Sequence, residues 1–277
     1  TAAAGATAKI TSVPTKTKPP RPGSAPNIPE TQRTFFDFHD ACLDDGTQAM
    51  AGFTLDLDLW HHYLPLAIQD GFVKRYEADY VLNGISHGFD LNVDESRMGE
   101  AKTRQNYKSA LDNAQMVSDA LKKRVVSGKT LKLGPWDPSV GFPTGNVGVN
   151  VPQGAVAKKL QPDIMRPVSD HTKTHFNDAC DISGLAHSLD TYAEIAAELK
   201  QGYCMRVEDV DGAFPVLPLA PKIWKYMYVI WYDVDKPLSE QQKPNTLYTH
   251  VFGDFGTAAM PGVWDMFWRC VKAMAKV

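Results

Sequence analysis

The chain has 277 residues, 43% of them hydrophobic and 22% charged, so it holds enough apolar material for one large domain or two modest ones, and disorder throughout is excluded. Lys+Arg 29 against Asp+Glu 32 gives a net charge of −3, which excludes a strongly basic nucleic-acid coat but not a local basic groove. Four scattered cysteines (Cys42, Cys180, Cys204, Cys270) without a CxxC pair indicate neither a disulfide scaffold nor a zinc ribbon, and no apolar run reaches the ~18–20 residues of a membrane span.

The expectation is therefore a soluble intracellular protein, cytoplasmic or nuclear, with no membrane partner. Its first residue is Thr1 rather than Met, and Val277 falls within a helical pattern, which suggests a fragment of a longer chain.

Residues 1–33 are rich in Thr, Ala and Pro, with Lys9, Lys16, Lys18 and Arg21 against Glu30. Such a stretch buries too little apolar surface to offset its ordering entropy, and it reads as a disordered basic tail. Residues 34–128 read as a helical region. Short helices are expected over 56–90, with Gly84 and Gly88 as stops. A clearer helix is expected at about 113–127, where Asn113 caps, Val117, Ala120, Leu121 and Val125 share a face, and Gly128 gives a left-handed exit.

Residues 129–152 carry enough Gly and Pro to read as an irregular loop leading into a strand. GAVAKKL, QPD and IMRPVSD read as a hairpin whose turn holds Pro162 and Asp163, with Lys158, Lys159 and Arg166 near the tip. Thr191 and Glu194 form a capping box ahead of an apolar face of Tyr192, Ile195, Ala196 and Leu199, ended by Gly202. The aromatic run KIWKYMYVIWYDVD predicts a central strand covered on both faces. LYTHVF predicts a last strand, followed by a Gly-rich turn and a helix that aligns Val263, Phe267, Cys270, Val271 and Met274. The fold class that follows is α+β.

Among chemical groups, Asp209 ends YCMRVED and precedes VDGAF. A carboxylate at a strand end suits Mg²⁺, which takes one or two carboxylates plus substrate phosphates. The plainer reading is a solvated turn aspartate beside Glu208 and Asp211. Lys159 and Arg166, on opposite arms of the hairpin, pair a mobile ammonium with a rigid guanidinium fork and would clamp a triphosphate; the plainer reading is solvated edge charge. Asp170, His171, His175 and Cys180 have spacings seen in zinc sites, but HTKTH is not HExxH and no second Cys is near. No P-loop lysine follows the Gly-rich GDFGTAAMPG, and no nucleophile elbow occurs.

Taken in order, KK, turn, R, helix, DVDGAF, aromatic strand and FGTAAMPGVW resemble the fingers and palm of a reverse transcriptase. In detail they are similar to the DIRS-like retrotransposon branch that carries a tyrosine recombinase, over about residues 60–277. The resemblance implies right-hand polymerase fingers and a partial palm over 129–277. It also implies magnesium-dependent transfer of nucleotides from dNTPs to a primer on an RNA or DNA template, within a polyprotein that also carries RNase H and a recombinase.

Residue by residue, the resemblance implies that Asp209 binds the catalytic Mg²⁺ ions with the Val210 carbonyl as a further ligand. Phe214 would lie beneath the deoxyribose and exclude a 2′-hydroxyl. Lys159 and Arg166 would contact the triphosphate, whose path the Gly212 and Ala213 backbone would line. Phe255 and Gly256 would pack near the incoming nucleotide and template base, and Pro261 would start the helix of the second palm motif. Asp254, Met260 and Trp264 stand where the family usually has proline, alanine and phenylalanine. No YxDD occurs in the 277 residues. The second metal carboxylate is therefore outside this chain, and the segment is expected to be catalytically incomplete. The competing expectation is a degenerate palm-like domain that binds nucleic acid or another partner without catalysis.

Overall fold

The Asp56 carboxylate accepts the amide hydrogens of Asp58 (3.1 Å) and Leu59 (3.4 Å) and so caps helix α1, Leu57–Gln69. The structure is a computed structural model and describes residues 55–98, 103–144, 148–185, 210 and 212–277, all within the unit Arg33–Val277. Helix α2, Arg75–His87, follows and stops at Gly88, whose φ of 86° only glycine adopts at low cost and where a Cβ would overlap the backbone of Leu219 and Ala220. Gly84 is no stop: it is buried inside α2, and the Phe89 ring fills the space a side chain would need. Instead of short helices, the segment holds two of 13 residues each, and both pack on one further helix.

That partner is the last helix, α6, Met260–Met274, with Pro261 in its first turn. Trp60 of α1 lies 5.1 Å from Phe267, ring centre to ring centre. Glu77 of α2, nearly buried, takes the Arg269 guanidinium at 2.9 Å. Val263, Phe267 and Cys270 are buried with Leu64, Val81, Ile85 and Leu217 in one core, and Val271 and Met274 pack against it. The helix closes at Met274 with Ala275 as its cap, before Val277.

Short α3, Lys108–Asp112, leads into α4, Ala114–Val126, which buries Val117 and Leu121 as expected and exits through Gly128 at φ 69°. The Asn113 side chain caps nothing at α4; its amide donates back to the Ser109 carbonyl at 2.8 Å.

The expected loop after Gly128 begins with a strand, β1, Thr130–Pro135. Gly and Pro obscure it because the pairing register slips between Lys132 and Gly134, a bulge that Gly134 permits with its φ of 115°.

The hairpin is present as β2, Gln153–Lys158, and β3, Gln161–Ser169. Its turn, however, is Lys159–Leu160 rather than Gln161–Asp163. Pro162 sits inside β3, in the stretch between the Gln161 and Met165 pairs that has no partner on β2, so no ladder bond asks for its missing amide hydrogen. Lys159 is accordingly at the tip, while Arg166 lies well down the arm, opposite Val156. The helix expected from Thr191 to Gly202 lies outside the described residues.

The aromatic run is only partly a strand. Pro221 presets a helical turn, and Pro221–Tyr226 forms a 3₁₀ helix; β4 is Tyr228–Trp231. The three-stranded antiparallel sheet has order β1-β5-β4, so the central strand is β5, Thr246–His250, and β4 is marginal. The expectation of two covered faces holds. Trp231 packs with Val117 and Leu121 of α4 and donates its indole N–H to Ser118 at 2.9 Å, while Tyr228 and Ile230 pack with Phe142. The outer edge of β4 is closed as well, by Val151 N–H on the Tyr228 carbonyl (2.6 Å) and the Asn106 amide on the Ile230 carbonyl (2.9 Å). The molecule is thus α+β with small antiparallel sheets, and its cores join elements from both sides of Gly128. Among the described residues no helix is long and apolar enough to cross a membrane.

Candidate functional site

Two of the motif segments meet. Phe214 opens the 3₁₀ turn Phe214–Val216, and Phe255 stands in the turn between β5 and α6; their ring centres lie 5.0 Å apart with planes at 45°. Phe255 stays 50% exposed, so the pair presents an aromatic surface rather than core. Beneath it Gly253 N–H donates to the Leu217 carbonyl at 2.8 Å, and a Cβ on Gly253 would crowd the Phe214 carbonyl at 2.6 Å. The close approach of these backbones is what the glycine allows.

Gly256 links this surface to the hairpin. Its φ is 101°, and a Cβ would overlap the carbonyl oxygen of Ser169, the last residue of β3. The root of the hairpin is tied in turn to the start of α3. Tyr107 N–H donates to the Gln153 carbonyl at 2.9 Å, Ser109 Oγ accepts from Ala155 N–H at 3.1 Å, and the Tyr107 hydroxyl donates to Asp170 at 2.5 Å. A cavity of about 380 Å³ opens between them, lined among others by Tyr107, Ala155, Val168, His171 and Gly256. A larger apolar groove of about 530 Å³ lies elsewhere, between α1 and α6, and has none of these polar groups.

The other expected site residues fall as follows. Gly212 adopts φ 65° ahead of the Phe214 turn, and Ala213 caps that turn. Lys159 and Arg166 are exposed, and among the described residues neither has an ion-pair partner. Val210 is exposed and its side chain lines the apolar groove. Asp209 lies outside the described residues.

The four residues of the zinc expectation do not converge. His171 is fully buried against Asp254, Asp170 binds Tyr107 and the Lys173 amide, His175 is exposed beside Asp178, and Cys180 is in the core. Among the described residues no group of three His, Cys, Asp or Glu side chains is placed to hold a metal ion. For Mg²⁺ the expected donors, the Asp209 carboxylate and the Val210 carbonyl, are hard oxygens of the right kind.

Behind the Phe255 turn lies a buried charge network that sequence reasoning missed. Asp254 is 6% exposed. Its Oδ1 takes Arg124 Nη1 at 3.1 Å and its Oδ2 takes His171 Nε2 at 3.3 Å, with His250 Nε2 at 3.8 Å. Arg124 Nε donates to Thr130 Oγ1 (3.2 Å), and Thr130 Oγ1 lies 2.7 Å from His250 Nδ1. Thr130 Oγ1 thus bridges the guanidinium and the His250 ring inside the core.

Burial pushes the Asp254 carboxyl up, but the neighbouring His250 ring, the Arg124 guanidinium and the hydrogen bond from His171 together outweigh this and hold it well below the usual carboxylate range. Burial and the nearby Arg124 charge push His250 down to about 3, so it is neutral near pH 7 and Arg124 is the cation that balances Asp254. The available signal was Asp254 itself. A carboxylate between the apolar end of one strand and a buried-helix sequence requires a buried counter-charge.

No family model matches the chain, and no curated protein matches it.

Proposed function

We propose that this chain is a fingers and partial palm segment of an RNA-directed DNA polymerase, a nucleotidyl transferase that uses dNTPs and magnesium on a template and primer. The observation that carries the reading is the meeting of Phe214 with Phe255 at 5.0 Å, with Gly256 against the root of the Lys159/Arg166 hairpin. Three segments that the sequence orders but does not join thereby adjoin one another. Nothing in composition requires them to do so.

The chemistry follows from the residue types. Phosphoryl transfer needs positioning and charge neutralisation more than covalent help. Lys159 at the hairpin tip and Arg166 on its arm, without an ion-pair partner among the described residues, supply positive charge for the phosphates. Phe214, held from behind by Phe255 and by the Gly253 backbone, offers a rigid ring against the sugar. Asp209 and the Val210 carbonyl would hold Mg²⁺, which when bound neutralises charge on the transferred group. The second carboxylate of such a site is absent from these 277 residues, so nucleotide binding is the activity to measure in this chain.

The test is binding of fluorescent dATP in the presence of Mg²⁺. Expected are saturable binding, preference over the ribonucleotide, weaker binding in Arg166→Ala, loss of the magnesium dependence in Asp209→Asn, and reduced sugar preference in Phe214→Ala. Absence of binding, or binding indifferent to the sugar and to Asp209→Asn, overturns the reading.

A further inference from the structure

The turn that carries Phe255 and Gly256 is gripped from two sides by residues to which the resemblance assigns no role. On one side Arg124, near the end of α4, reaches Asp254 and also directs Nη2 to the carbonyls of Phe252 (3.5 Å) and Gly253 (3.4 Å). Its planar fork contacts three successive residues, which an ammonium would not do.

On the other side stands Asn177 in the short helix α5, Phe176–Ala179. Its Nδ2 donates to the Gly256 carbonyl at 2.9 Å and its Oδ1 accepts Ala258 N–H at 2.8 Å. A carbonyl on one end and an N–H on the other fix the amide's orientation, and the same Nδ2 also donates to Thr172 Oγ1 at 3.0 Å. Between the grips the turn's own backbone contributes little: Thr257 N–H reaches the Asp254 carbonyl at a long 3.4 Å.

The turn GDFGTAAMPG needs such help, because Gly253 and Gly256 give the free chain more conformations to lose than any other residues would. A displacement of about 1 Å in a positioning group is costly to a reaction or a binding pose. We propose that Arg124 and Asn177 are positioning residues of the nucleotide pocket: a two-point clamp that sets Phe255 against Phe214 and Gly256 against the root of the hairpin. The proposal rests on the polymerase reading of the same site. It adds two residues, from α4 and α5, that reach the pocket only through the backbone of the turn.

The experiment compares the full chain with Asn177→Ala, Asn177→Asp and Arg124→Lys, by amide hydrogen exchange at residues 253–258 and by affinity for fluorescent dATP with Mg²⁺. In Asn177→Ala exchange across the turn is expected to rise, and affinity to fall about tenfold, the equivalent of one or two lost hydrogen bonds. The melting temperature should fall by only a few degrees, since the lost bonds belong to one turn outside the cores.

Asn177→Asp keeps the acceptor for Ala258 N–H and loses the donor to Gly256, so it should recover part of the affinity. Arg124→Lys keeps the charge beside Asp254 but not the fork, and should fall between wild type and Asn177→Ala. Faster exchange with unchanged affinity would make the clamp merely structural and overturn the positioning role, and unchanged exchange would overturn the clamp. If the wild-type chain binds no dATP, the polymerase reading falls and takes the pocket with it. The exchange rates still decide, separately, whether the clamp holds the turn.

Discussion

Arg124 and Asp254, 130 residues apart in sequence, meet at 3.1 Å with both side chains largely shielded from water. Removing one partner of such a pair strands a buried charge, which costs about 3–5 kcal/mol, whereas replacing both with apolar groups of similar size costs much less. Asp254→Asn is therefore expected to lower stability by about 3–5 kcal/mol. The double variant Arg124→Leu/Asp254→Leu should recover a good part of that loss. Urea denaturation of the two singles and the double measures the coupling, and additive effects would show that the pair is not the unit.

Acid should destabilise the fold well above the carboxylate range. His250 ordinarily takes a proton near 6.5, and in the folded chain not until about 3, so the unfolded chain binds the extra proton in between. This stability is fully present above pH 6.5 and is lost as the pH falls toward 3. Asp254, held below its ordinary 3.8, acts in the same direction, its contribution being present above 3.8 and lost below it. The thermal midpoint should thus drop steadily from pH 7 to pH 4. In His250→Asn, which keeps a polar partner for the Thr130 hydroxyl but does not titrate, the decline between pH 6.5 and 4 should be shallower. Parallel curves for the two proteins would exclude His250 as the source.

At Gly256, any side chain meets both a left-handed backbone and the Ser169 carbonyl. Gly256→Ala is expected to cost more than about 1 kcal/mol, the usual penalty of the backbone conformation alone, because the hairpin root must also move. Gly141→Ala makes a useful contrast, since Gly141 has φ 80° with open space around it and pays only for the backbone. Equal losses in the two variants would mean that the contact with Ser169 carries no weight.

The thiols of Cys180 and Cys270 are pushed by burial to about 12, with Glu77 adding to the effect at Cys270. In a chain carrying Cys42→Ser and Cys204→Ser, the remaining two should react with a disulfide reagent at pH 8 on the order of a hundredfold slower than in denaturant. Fast labelling of the native chain would place either cysteine at a surface instead of in the core.

Much of the local structure was legible in the sequence because it depends on neighbours a few residues apart. The helical face of Val117 and Leu121, the exit at Gly128, the two arms of the hairpin, the strand LYTHVF and the proline start of the last helix all follow from periodicity and from single residues with restricted backbones. Where local signals competed, the outcome turned on pairing. Pro162 looks like a turn residue and lies in a strand because the register of β2 and β3 puts the turn at Lys159–Leu160. The aromatic run looks like one long strand, yet Pro221 and the burial of Ile223 and Tyr226 turn its first half into a 3₁₀ helix. β1 was hidden because Gly134 and Pro135 are breakers in isolation and a tolerated bulge and edge once β5 lies alongside.

The sequence by itself determined the α+β class, most of the order of the elements and the residue types that stand in the motif segments. Only the tertiary structure decided which of those residues adjoin: Phe214 with Phe255, Gly256 with Ser169, and the Arg124 and Asn177 grips on the turn between them. The physical reason is that helix and strand periods are set by backbone geometry within a few residues. A buried carboxylate, by contrast, finds its cation wherever the packed core brings one, and spacing along the chain carries no trace of that choice.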